Sequence, residues 1–213
     1  MNDTIWNELK KAYTLKQREM EDLQKIRTDT AEIACETYEI AEIGNPFLME
    51  MQAMQGAMKM ETCVITPFAK DLSFCNIDIV QVTDDDTCLF EMYESSLQEE
   101  DLSLFAGLPE RYRELPDYDG GSHWYDEFRL PSSLGKKGKQ IRKQGEEMLR
   151  ECLAAYLETL KKAPACDPEA KKAEVRKYAD RLISEGGMAV DGLSRMIGKE
   201  KCMELIRKYM YDI

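Results

Sequence analysis

Residues 47–93 alternate apolar and polar positions with a period of two, the pattern of strands that turn one face to a core. The alternation breaks into four runs, 47–54, 57–66, 76–82 and 87–93. In the first, Phe47, Met49, Met51 and Ala53 share one face, against Leu48, Glu50, Gln52 and Met54. In the second, Met58, Met60, Thr62 and Val64 lie opposite Lys59, Glu61, Cys63 and Ile65. Gln55-Gly56, the segment from Pro67 to Asp71, and Asp84-Asp85-Asp86 supply the turns.

The flanks read mainly as helix and loop. Asn2-Asp3-Thr4 caps an apolar spacing that predicts a helix over 5–27. Residues 28–43 fit either a helix, with Ile33, Ile40 and Ile43 on one side, or a strand, and Gly44-Asn45-Pro46 ends them. Ser95 or Ser96 caps a short helix to about Phe105, and Gly107, Pro109 and Pro116 break the next segment into short turns. Residues 117–131 form a loop rich in glycine and aromatics, then a long helix spans about 139–162. Asp167-Pro168-Glu169 starts a helix that should bury Val175, Tyr178, Ala179 and Leu182 and stop at Gly186-Gly187. Two shorter helices run to Ile197 and Tyr211. A sheet needs both faces covered, so the helices are its cover and the class is α+β, in one domain over 1–213.

Two polar positions inside the strands matter for chemistry. A two-residue loop at Gln55-Gly56 would set Glu50 against Glu61, an unfavourable like-charge pair. A three-residue loop would pair Glu50 with Thr62, and that register is the expected one. Asp78 lies between Ile77 and Ile79, sharing a face with Asn76, Val80 and Val82. Partial burial there would raise its pKa and make it an acid that can donate a proton near neutrality. The plainer alternative is an aspartate that accepts backbone hydrogen bonds.

Composition narrows the function classes. The net charge of −12 disfavours a nucleic-acid binder. The seven cysteines include no C-x-x-C pair, which fits free thiols in a reducing compartment. With His123 the sole histidine, a histidine-rich or two-histidine metal site is excluded, and a carboxylate-only site is left as the alternative. No apolar run suits a signal peptide or a membrane span, so a cytoplasmic protein without membrane contacts is expected. The methionines of the strands suit adaptable core packing better than a soft-metal site. His123, Trp124 and Arg129 sit in the 117–131 loop, a place where a ligand pocket can form. Trp124 also suits a loop anchor. The run Lys136, Lys137, Lys139, Arg142 and Lys143 reverses the overall charge locally and could meet an acidic partner or ligand carboxylates.

In this order the chain resembles the ferredoxin-dependent bilin reductases. The matching blocks are Phe47-Leu48-Met49-Glu50 to Gly56, Cys63-Val64-Ile65-Thr66-Pro67, and Asp71-Leu72-Ser73-Phe74-Cys75-Asn76-Ile77-Asp78-Ile79-Val80. Leu104 to Pro116 and Leu153 to Ile213, ending in Tyr209-Met210-Tyr211-Asp212, continue the likeness. The order and spacing of these motifs carry it, over most of 47–213.

The resemblance implies a three-layer α/β/α sandwich with a central antiparallel sheet, and an open-chain tetrapyrrole such as biliverdin between the sheet and the C-terminal helices. It implies no tightly bound cofactor, with electrons arriving singly from a reduced ferredoxin. Asp78 falls on the family's proton-donating aspartate and Glu50 near its glutamate, so Asp78 is the expected donor with Glu50 assisting. Asn76, His123, Trp124 and Arg129 are the expected substrate contacts, and the basic run serves ferredoxin docking or propionates. Three departures stand out: Thr62 occupies a position where some members have histidine, Gly186-Gly187 replaces an Asn-Asp pair, and the N-terminal part is short. Threonine orients but cannot do histidine's acid–base work. The alternatives are a non-catalytic tetrapyrrole binder on the same scaffold, or an unrelated α+β domain whose Asp78 is structural.

Overall fold

The four alternating runs form the centre of one antiparallel sheet in the computed structural model, which describes residues 2–213, and the side chains of all of these except 2–6 and 188. The strands are β1 (Lys16–Arg18), β2 (Lys25–Arg27), β3 (Ala31–Glu39), β4 (Gly44–Ala53), β5 (Met58–Pro67), β6 (Phe74–Val82), β7 (Asp85–Tyr93) and β8 (Leu134–Lys139). β3 to β7 pair in chain order, β8 closes one edge on β7, and β1 and β2 share the free side of β3. The helices are α1 (Asn2–Ala12), α2 (Leu108–Arg111), α3 (Arg142–Lys162), α4 (Pro168–Glu185), α5 (Met188–Ile197) and α6 (Lys199–Glu204). The chain is therefore α+β, with a sheet between two helical layers.

Each layer covers its own core. On one face Cys63, Ile65, Cys75, Ile77, Ile79, Cys88 and Phe90 pack with Met148, Cys152 and Tyr156 of α3 and Leu9 of α1. The approach of α3 is close: a Cβ on Gly145 would lie 2.3 Å from the Cys88 sulfur, so glycine is needed there. On the other face Phe47, Met49, Met51, Met60, Val64 and Phe74 pack with Val175, Tyr178 and Leu182 of α4 and with Leu193, Leu205, Ile206 and Tyr209.

Two polar clamps fix the second helical layer. Lys171 of α4 is fully buried, and its ammonium donates to Asp71 at 3.3 Å and to the Ser95 carbonyl at 2.6 Å. Asp71, part of the matched motif, thus holds α4 in place, and it also accepts from Leu97 N at 2.8 Å. The second clamp is at the chain's end, where α6 runs on as a π-helix over Leu205–Met210. Its last carbonyls have no helical partner. Buried Asn45 supplies one, donating to Tyr209 O at 2.8 Å and Met210 O at 3.2 Å. The Asp167 side chain caps α4 through Glu169 N, as its sequence indicates.

Four expectations need correction. The helix over 5–27 ends at Ala12, and β1 and β2 come after it. Its apolar residues do not form one stripe, because Leu9 joins the α3 core while Met20 and Leu23 join the opposite one. Residues 28–43, which fit helix or strand, contain β3, whose buried and exposed residues alternate. The helix capped by Ser95 or Ser96 is absent; a single 3-10 turn, Ser103–Phe105, stands there. The long helix begins at Arg142 rather than 139, because the Lys/Gly-rich segment before it is β8, a charged edge strand.

The hairpin register is the fourth correction. β4 and β5 pair Ala53 with Met58 and Glu50 with Glu61, leaving a four-residue connection. Met54, Gln55 and Gly56 all adopt positive φ in it (53°, 56° and 88°). The like-charge pair is tolerated because Arg142 of α3 forms an ion pair with Glu61, a contact 81 residues away that no local rule anticipates.

Candidate active site

The register decides which side chains meet. Alternate residues of each strand point to opposite faces, so one row across the sheet reads Cys35, Met49, Thr62, Asp78, Leu89 and Gly135, on the face of α4 to α6. Thr62 is directly opposite Asp78, and its hydroxyl donates to the carboxylate at 2.5 Å. Glu50 belongs to the adjacent row with Glu61, Ile79 and Cys88, on the α3 face. Sheet thickness therefore separates it from Asp78, and the expected pair of Glu50 and Asp78 is not brought together.

Asp78 has the environment of a neutral acid. The residue is only half-buried, yet the atoms around its carboxyl strip it of water, and this desolvation raises its pKa to about 7. The Thr62 hydrogen bond works against that rise by favouring the ionised form, and the negative charge of Glu91 adds to it. Among the described residues, no cation offsets the shift.

Asn76 lies two residues before Asp78 on the same face, and its side chain reaches the Tyr211 hydroxyl. Its Oδ1 is buried with no donor from the described residues. A buried carbonyl oxygen without a partner is costly, so this atom retains the capacity to accept a hydrogen bond. Glu91 stands opposite Asn76 on β7. Its carboxylate accepts from the Tyr93 hydroxyl at 2.9 Å and faces Arg129 Nε at 3.3 Å. Burial raises the Glu91 pKa, while Tyr93 and Arg129 pull it down.

The floor of this end of the face is aromatic. Tyr178 of α4 lies 4.7 Å from Tyr93 and 5.0 Å from Phe74 between ring centroids, and Tyr211 packs on Phe74 at 5.3 Å. Glu91, Tyr93, Tyr178 and Tyr211 are site residues that sequence reasoning missed. The alternation of Thr87, Leu89, Glu91 and Tyr93 is a signal for the first two. Nothing local marks the other two as neighbours of Asp78.

The 117–131 loop lies beside Glu91 through Arg129, and its residues have different roles. Arg129 bridges Glu91 and Asp126, the latter at 2.5 Å. His123 stacks on Tyr125 at 4.7 Å, and its Nε2 is 2.7 Å from the Gly120 carbonyl. Trp124 is an anchor. Its indole N–H donates to Gly186 O at 2.8 Å, and Arg181 lies over its ring at 4.8 Å. It thereby ties the loop to the Gly186-Gly187 corner.

The basic run does not form one surface. Lys136 is buried, donating to Asp117 at 2.6 Å and Leu115 O at 3.1 Å, so it is unavailable to a partner. Lys139 faces Asp84 at 3.4 Å, and Arg142 is held by Glu61 and Glu146. Lys137 and Lys143 are exposed, and Lys137 ends the row of Met51, Met60, Val80 and Thr87 on the Asp78 face. That same row opens into a groove of about 1010 Å³ between the ends of β3 to β5 and α5, lined by Met51, Met58, Met60, Leu193, Arg195 and Met196. The methionines thus line a cleft as well as fill a core. Among the described residues, no group of three His, Cys, Asp or Glu side chains could hold a metal. No helix there is long and apolar enough to cross a membrane.

Fold and site together define an α/β/α sandwich with a desolvated carboxyl, Asp78, on one sheet face. Tomato phytochromobilin synthase, solved in complex with biliverdin, has this fold, with a TM-score of 0.80 over 99% of this chain and 81% of that one. The two are 13% identical, so the likeness is one of fold. No protein-family model matches the sequence, and no curated protein does. The three-layer architecture expected from the bilin-reductase resemblance is the one observed.

Proposed function

We propose that this protein reduces a linear tetrapyrrole of the biliverdin kind, taking electrons singly from a reduced ferredoxin while Asp78 supplies a proton. The observation that carries this reading is the Asp78 carboxyl itself: desolvated, held by Thr62 at 2.5 Å, and poised at about 7 on the open face of a fold that binds biliverdin in another protein. Adding an electron to an open-chain tetrapyrrole raises its basicity. An acid that is half-protonated at neutral pH can then transfer its proton, and Thr62 stabilises the carboxylate left behind. Asn76 Oδ1 accepts from a pyrrole N–H, and the methionine-lined groove takes the apolar body of the ligand. Lys137, on the same face at the edge strand, and Arg129 are the cations placed for ligand carboxylates. Lys143 is the exposed member of the basic run left for the electron donor.

A second reading is a protein that binds the tetrapyrrole without reducing it. Thr62 favours it, because a hydroxyl in that position cannot exchange protons as histidine does. One experiment separates the two. The protein is mixed with biliverdin, its visible spectrum recorded, and a ferredoxin-reducing system added without oxygen. The expected result is a shifted spectrum that then bleaches with turnover. In Asp78→Asn the first shift should persist while turnover drops about 100-fold or more. A shift without reduction in the wild type selects the binder, and no shift at all contradicts both readings.

A further inference from the structure

Reducing one double bond takes two electrons and two protons, and Asp78 carries one proton at a time. On this face of the sheet the nearest second carboxyl is Glu91, a diagonal neighbour of Asp78 on the adjacent strand. Such neighbours have Cα atoms about 7–8 Å apart, within the width of one pyrrole ring and its substituents. We propose that Glu91 is the second proton-donating residue of the site, serving the carbon of the double bond that Asp78 does not protonate. The proposal rests on the tetrapyrrole-reducing function and extends it to a residue outside the matched motifs.

Three observations carry it. The Glu91 side chain is 13% exposed, so it is shielded yet not sealed from solvent. Its two oxygens have different partners: the Tyr93 hydroxyl donates to one at 2.9 Å, while the other only faces Arg129 Nε at 3.3 Å. That Nε is buried and makes no hydrogen bond, so the guanidinium does not close on the carboxylate. Arg129 also pairs with Asp126 at 2.5 Å, so its charge is shared between two carboxylates. Glu91 is left with an incompletely compensated negative charge, and protonation relieves it.

The surroundings of Glu91 set its titration from every side. Asp78 on β6 is the like charge across the strand pair. The loop contributes Tyr118 and Tyr125, whose hydroxyls sense Glu91, together with the charges of Arg129, Asp126 and His123. Tyr178 from α4 and Tyr211 from the chain's end complete the enclosure. The charge of Glu91 raises the Asp78 pKa across the strand pair, so the two carboxyls lie within electrostatic reach of one another.

Atoms and electrons balance in the full step. Two reduced ferredoxins each give up one electron, in successive encounters. Asp78 and Glu91 each transfer one proton, one C=C bond becomes a CH–CH bond, and both carboxylates are reloaded from solvent.

The test uses Glu91→Gln, which keeps the size and leaves an acceptor for Tyr93. In the ligand-free protein, infrared difference spectra between pH 5 and pH 8 should show two protonated carboxyl bands in the wild type. Glu91→Gln should show one, with the Asp78 midpoint moved down. With biliverdin and reduced ferredoxin, Glu91→Gln should bind within about threefold of wild type, yet stall after the first proton. A one-electron-reduced radical should accumulate, with turnover about 100-fold lower and partial recovery in Glu91→Asp. Glu91 ionised throughout pH 5–8, wild-type turnover in Glu91→Gln, or loss of binding without a radical each overturns the proposal. If the wild type does not reduce biliverdin, the tetrapyrrole-reducing function fails while the infrared titration still decides whether Glu91 holds a proton.

Discussion

The two faces of the same sheet have opposite characters, and β6 shows this within nine residues. Cys75, Ile77 and Ile79 are completely buried against α3, while Asn76, Asp78 and Val80 between them are half-exposed on the other side. β7 repeats the contrast, with Cys88, Phe90 and Met92 fully buried and Thr87, Leu89 and Glu91 only partly buried. Both faces are roofed by helices, so both should read as apolar if covering were their only duty. The second face breaks that rule at Asp78, Asn76 and Glu91, where the polar groups lack full compensation. A fold tolerates such departures where they serve a function.

The contrast can be broken by mutation, and the largest effects should fall on different properties. Asp78→Asn should lower bilin turnover about 100-fold while leaving the fold intact, since it swaps near-isosteric groups in a half-open site. Ile77→Ala, one residue away on the dry face, should do the reverse. It should cost about 3–5 kcal/mol in urea-melt stability, whereas Val80→Ala should cost about 1 kcal/mol because that side chain already meets solvent. Equal costs would erase the distinction between the faces.

A smaller effect tests the C-terminal clamp. Asn45→Ala removes the donors to Tyr209 O and Met210 O and should cost about 1–3 kcal/mol. Because that clamp sets Tyr211 against Asn76, the variant should also weaken biliverdin binding; unchanged binding would show that the π-helical end does not shape the site.

A pH dependence is the last effect. Asp78 has a folded pKa of about 7 against an ordinary 3.8, so the folded state holds the proton more tightly than the unfolded chain. The stability linked to that proton is fully present below about 4 and lost as pH rises through about 7. Wild type should therefore lose, relative to Asp78→Asn, on the order of 2 kcal/mol between pH 4 and pH 8, less than full linkage because the cleft admits water. Parallel pH–stability curves would contradict this sign.

What could be read from the sequence obeys the same division. The central strands were legible because one buried face and one mixed face leave a period of two over residues 47–93. Asp78 was legible because a carboxylate between Ile77 and Ile79 is anomalous wherever it points. Glu50 was misplaced because its partner was judged from local charge alone, while Arg142, supplied by α3, neutralises Glu61 and permits the other register. β8 was missed because an edge strand of Lys and Gly has no apolar alternation, and Lys136 is buried only through Asp117. The segment over 5–27 was misread because its apolar residues serve two cores on opposite sides of the sheet. Glu91 was visible in the alternation of β7, but its significance depends on its register with Asn76 and on Arg129, 38 residues further along.

The central claim is that the open face holds a proton on Asp78 at neutral pH. The most direct measurement is the Asp78 midpoint in the ligand-free protein, read from the carboxyl infrared band that Asp78→Asn removes. The account predicts a midpoint of about 7, moving higher in Thr62→Val, which removes the hydrogen bond that favours the ionised form. A midpoint near the ordinary 3.8 would make Asp78 a structural carboxylate and contradict the account.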